Sequence, residues 1–136
     1  MSAVIRDPEG RFFVDSTIYY YGTEDEDEAY YLCGMFNVPN LFTSVKAIAD
    51  TRHHHKKPLY FNIPKFINDD AQLQISRLSK QCSKMVEDYV SSAAKIELSV
   101  INDLIKDNLD KIQSLGIKIL TSIEGKKIIK EYELET

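Results

Sequence analysis

The sequence predicts an α+β protein: a small, mostly antiparallel sheet built from N-terminal strands and a C-terminal hairpin, two short helices, and one very long amphipathic helix. Three observations carry that prediction. Residues 68 to 115 contain neither Pro nor Gly, and apolar side chains recur through them at steps of three and four, the period of a helix with one buried face. Residues 3 to 21 are rich in the aromatic and β-branched side chains that suit a pleated surface. Near the other end, Ile117, Ile119 and Ile123 face one way and Lys118 and Leu120 the other, Glu124-Gly125-Lys126 has turn chemistry, and Ile128, Tyr132 and Leu134 return along one side.

The long stretch dominates. Ile75, Leu78, Cys82, Met85, Val86, Tyr89, Ala93, Ile96, Val100, Leu104, Ile105, Leu109, Ile112 and Leu115 form its stripe, Asn68 caps it with Asp69 and Asp70 in its first turn, and Gly116 supplies a stop. Unbroken, it is a rod of roughly 70 Å, whereas a compact domain of this size has a radius of gyration of about 14 Å. The stretch must therefore fold back on itself or pair with a copy or a partner. From Cys82 to Leu104 the stripe averages nearer 3.67 residues per step than 3.5, which favours a straight or slightly right-handed bundle over a left-handed zipper. Tyr89, Ala93, Ile96, Val100 and Leu104 are the interface candidates. Small residues from Ser91 to Ala94 permit close approach of another helix, and they are also the weak place for a kink.

The remaining elements follow in order. Asp7-Pro8-Glu9-Gly10 is a turn, and Arg11–Val14 and Thr17–Tyr21 read as strands. Tyr19, Tyr20 and Tyr21 cannot all face inward on one strand, so an aromatic reaches the surface. The acidic run Glu24-Asp25-Glu26-Asp27-Glu28 suits a helix start over residues 24–36, with Thr23 as cap and carboxylates against the positive end of the dipole. A second short helix over 40–52 is capped by Asn40, and Leu59–Ile63 reads as a strand closed by Pro64.

Composition narrows the function classes. With 43% hydrophobic and 28% charged residues, the chain reads as one folded domain over residues 1–136, with 68–115 as an assembly arm. The net charge of −4 argues against nucleic acid as the main partner, since phosphate binding needs a basic footprint. No apolar run reaches the ~20 residues of a membrane span, and the first residues lack the core of a signal peptide. A cytoplasmic protein is expected, with Cys33 and Cys82 as thiols rather than a disulfide.

Arg52-His53-His54-His55-Lys56-Lys57 is the cluster that looks chemical. As a metal site it is incomplete, because adjacent histidines diverge on a helix or strand and Asp50 is the nearest carboxylate. As a positive island on an acidic chain, it is a candidate anion site formed by Arg52, His53, His54, His55, Lys56 and Lys57. The sequence contains no Gly-rich phosphate loop, no GxSxG, no HExxH and no paired CxxC. Two readings result. The first is a non-enzymatic, oligomeric interaction or assembly protein, needing no cofactor or metal, that binds copies of itself or a protein partner through the long helix and exposed aromatic and charged surfaces. The alternative is an anion- or nucleotide-binding protein acting on a phosphorylated small molecule, even a phosphodiester hydrolase with a histidine as general acid or base. A nucleic-acid binder using the same island with Tyr60 and Phe61 as stacking surfaces is disfavoured by the acidic total.

Overall fold

The computed structural model describes residues 3–11, 13, 20–39, 41, 59–122 and 129–134. Its elements are α1 (Glu26–Met35), β1 (Leu59–Pro64), α2 (Asp70–Ser92), α3 (Leu98–Thr121) and β2 (Ile129–Leu134). The body is three helices packed together, α1 on α2 and α2 on α3, with α1 also touching α3. This overturns the α+β expectation. Among the described residues the strands form a two-stranded antiparallel ribbon, with Leu59 opposite Leu134 and Pro64 opposite Ile129, and no larger sheet.

Each miscast segment has a physical reason. The long helix is broken: Ala93 leaves α2 with extended backbone, and α3 begins after Glu97. Folding back sets the two halves of the apolar stripe against each other, and that burial outweighs the small helical preference of the residues given up in the turn. The C-terminal hairpin does not form. Residues 117–121 continue α3, because Ile112, Leu115, Gly116, Ile119 and Leu120 all pack against the core at helical spacing, and this tertiary burial overrides the β preference of the isoleucines. Strand β2 pairs instead with β1, far back in the sequence. The predicted N-terminal strands Arg11–Val14 and Thr17–Tyr21 lie mostly outside the described residues; of the residues described there, Tyr20 forms a single bridge. The Asp7–Gly10 turn is present, closed by the Gly10 amide donating to the Asp7 carbonyl at 3.3 Å.

Helix starts are shifted slightly. Asp25, not Thr23, caps α1, its carboxylate accepting from the Asp27 and Glu28 amides at 2.9 and 3.2 Å. Thr23 instead donates its hydroxyl to Glu28 at 2.8 Å. Asp69, not Asn68, caps α2, and Asn68 takes φ +58°, a left-handed conformation that asparagine tolerates better than most residues. The predicted helix over 40–52 falls almost wholly outside the described residues.

Tyr31, Leu32, Met35, Val38, Ile63, Ile75, Ile112 and Tyr132 form the core. Gly34 and Gly116 let the helices close on it. A Cβ on Gly34 would lie 2.5 Å from Ile75 Cγ2 and 2.6 Å from Ser79 Oγ, and one on Gly116 would collide with Val38 Cγ2. Gly116 is thus a packing residue within α3 and not its stop. The Tyr31 hydroxyl donates to the Pro64 carbonyl at 2.8 Å, while Tyr132 accepts from the Phe66 amide at 3.3 Å and donates to Glu28 at 3.1 Å. These bonds tie the ribbon to the helices. Burial pushes both phenols well above their usual pKa near 10.

Candidate functional site

The core lies wholly at one end of the helical hairpin. In α2 the buried residues are Gln72, Ile75, Ser76 and Ser79, and in α3 they are Ile112 and Gly116. From Lys80 to Lys111 every residue is exposed or half-buried. The far portions of α2 and α3, with the turn that joins them, therefore project as a two-helix arm about 20 Å long.

This arm carries all five interface candidates. Tyr89 and Ala93 close α2, Ile96 lies in the turn, and Val100 and Leu104 open α3. They do not form one stripe along a rod: Tyr89, Ala93, Ile96 and Val100 lie at or near the turn, and Leu104 lies about half-way along the arm. Ile96 is 55% exposed and Leu104 41%, while Tyr89, Ala93 and Val100 are half-buried. The sequence pattern missed Leu98, 63% exposed, and Val90, 42% exposed. Val90 sits one step off the stripe, and Leu98 becomes prominent because the break puts it at the first position of a new helix.

Local bonds shape the tip. The Tyr89 hydroxyl donates to the Lys95 carbonyl at 3.2 Å and accepts from the Glu97 amide at 3.1 Å, so one side chain pins both sides of the turn. Ser92 returns its hydroxyl to the Asp88 carbonyl at 2.9 Å, satisfying a terminal helix acceptor. Lys84 pairs with Asp88 at 3.5 Å and Lys95 with Glu97 at 3.3 Å, both in solvent, where such pairs contribute little. Across the arm Asn108 donates to Gln81 at 3.3 Å. Polar groups at the tip are thus engaged with one another, while its large apolar groups are left facing water.

Cys82 lies at the root of the arm, beside Asn108 and near Cys33 of α1; burial raises its thiol pKa, Asn108 lowers it and Cys33 raises it further. A second concavity, a groove of about 290 Å³, runs between the β1–α2 link and the end of α3 and is lined by Pro64, Lys65, Ile67, Leu115, Lys118 and Ile119. Gln72 braces this link, donating to the Lys65 carbonyl and accepting from the Ile67 amide, each at 2.8 Å. A buried glutamine on a helix near a loop is the only sequence signal of that role.

The anion-site candidates Arg52, His53, His54, His55, Lys56 and Lys57 lie outside the described residues. Among the described residues no group of three or more His, Cys, Asp or Glu is gathered as for a metal ion, and no helix is long and apolar enough to cross a membrane. Comparison with protein-family models, with curated proteins and with solved structures finds no match.

Proposed function

We propose that this chain is a non-enzymatic interaction module that assembles through the tip of its helical hairpin, with a second copy of itself as the partner. The observation that supports this reading is the arm from Lys80 to Lys111, which holds no buried residue yet exposes Val90, Ile96 and Leu98 at or beside its turn and Leu104 midway along it. A two-helix arm covers each apolar stripe on one side only. A second hairpin laid against the first completes a four-helix arrangement and covers what remains. Small side chains at Ser91, Ser92, Ala93 and Ala94 permit the close approach that such packing needs.

The test is molar mass by light scattering on a sizing column over a concentration series. The expected result is a rise toward twice the chain mass, abolished in the Ile96→Glu/Leu98→Glu double variant with its helical circular dichroism unchanged. Constant single-chain mass up to the highest soluble concentration, or a double variant that assembles like the parent, removes the reading.

A further inference from the structure

We propose that Cys33 and Cys82 form a reversible disulfide across the seam between α1 and α2, a thiol switch that fixes α1 to the helical hairpin. The two residues lie near each other where the three helices pack. On α1, Tyr30 sits beneath Lys80 of α2, with the ammonium 5.7 Å from the ring centre. Two turns later the Asn37 carbonyl accepts from Gln113 of α3 at 3.3 Å. Cys33 lies between these contacts on the same face of α1, three residues from one and four from the other, so that face crosses from α2 towards α3 at its position. On α2, Cys82 is one turn beyond Ser79, whose hydroxyl oxygen would stand only 2.6 Å from a Cβ on the neighbouring Gly34. Asn108 of α3, which donates to the neighbouring Gln81 at 3.3 Å, also lies beside the Cys82 thiol.

Gly34 leaves no room for a Cβ against Ile75 and Ser79, so α1 and α2 approach closely beside Cys33 and Cys82, as a disulfide, which spans Cα atoms ~4.4–6.8 Å apart, requires. Both cysteines are half-buried and neither is in a disulfide. The inference stands apart from assembly at the arm tip, since both sulfurs lie at the root.

The oxidant is a small-molecule disulfide such as oxidised glutathione. One cysteine thiolate attacks it, forming a mixed disulfide and releasing one glutathione thiolate. The second cysteine thiolate then displaces the other glutathione. Two protein thiols and one oxidised glutathione become one protein disulfide and two reduced glutathiones, with both protons passing to the released thiols. Excess reduced glutathione runs the sequence backwards.

The test equilibrates the whole chain in buffers of varied oxidised-to-reduced glutathione ratio, quenches with acid and measures intact mass, peptide map and thermal midpoint. Expected are loss of the mass of two hydrogens, a single cross-linked peptide joining Cys33 to Cys82, and a midpoint raised by roughly 5 °C or more, as closing a loop of about 50 residues implies. Reduction with dithiothreitol restores the starting values. Cys33→Ser and Cys82→Ser each give one glutathione adduct and no rise. Accumulation of a doubly glutathionylated chain, cross-linking between chains, persistence of both thiols under oxidising ratios, or a linked species of lower midpoint each overturns the proposal.

Discussion

Gly34 and Gly116 illustrate how single residues decide the packing. At each, the space for a Cβ is already taken by a β-branched side chain, Ile75 or Val38, whose rotamer cannot swing aside cheaply. Alanine would improve helix propensity by about 1 kcal/mol but would force α1 from α2 at Gly34 and the Val38 segment from α3 at Gly116, at a cost of typically 1–3 kcal/mol or more. Gly34→Ala and Gly116→Ala are therefore expected to lower stability by about 1–2 kcal/mol net, read from urea midpoints at constant m-value. The phenols of Tyr31 and Tyr132 make a second prediction. Their folded pKa values are raised, so the folded chain holds these protons more tightly than the unfolded chain does. The stabilisation is whole below the unfolded value near 10 and is lost as pH climbs above it, at about 1.4 kcal/mol per pH unit for each group. Tyr31→Phe and Tyr132→Phe should each flatten that alkaline decline while costing about 1–3 kcal/mol at neutral pH, since each leaves a buried partner unsatisfied. At this scale the sequence was half legible. The acidic start of α1 was plain, but Gly116 read as a stop because nothing local distinguishes a glycine that ends a helix from one that makes room for Val38.

At the scale of elements, the turn from Ala93 to Glu97 separates what the apolar pattern disclosed from what it hid. The stripe correctly marked the buried faces of α2 and α3, because periodicity follows from burial whether a helix is straight or doubled back. It left open whether the stretch doubles back: Ser91 to Ala94 stood out as the weak place for a kink, but Ser91 to Glu97 contains neither Pro nor Gly and the turn is held by bonds from the Tyr89 hydroxyl. Tyr89→Phe is expected to cost about 1 kcal/mol and to speed hydrogen exchange at the Glu97 amide, which would lose its acceptor. Glu97 occupies the N-cap of α3 without a side-chain capping bond. Glu97→Asp, which preserves the charge, should add about 0.5–1 kcal/mol through a new bond to a free helix amide, seen as a higher urea midpoint. The strands were the least legible elements. Strand β1 was visible in its own residues, but the partner of a strand is not a local property. The segment after Gly116 was assigned to a neighbouring hairpin by proximity, when it belonged to α3.

For the whole molecule, the division between a packed body and an uncovered arm governs what should be measured. Ile63, Ile75, Ile112 and Tyr132 gather at one end, so local opening should be graded. In dilute protein, amides of 80–92 and 98–111 should exchange faster than those of 70–79 and 112–121, and the difference should shrink as concentration rises and the arms pair. Unchanged exchange across the concentration series would remove assembly through the arm. The candidate site was legible to the extent that its residues were named. What they do depends on a turn that the sequence offered as one of two outcomes and did not decide, and the Arg52–Lys57 island lies outside the described residues. The ribbon has one more consequence. Strands β1 and β2 lie side by side, so the chain leaves for α2 and returns from α3 at nearly the same place. The hairpin is thereby a loop tied at its neck, and matched turns inserted into or removed from both helices change its reach without disturbing the knot. Arm length in this architecture is a dimension that can be reset, by engineering or by descent, while the body that carries it stays the same.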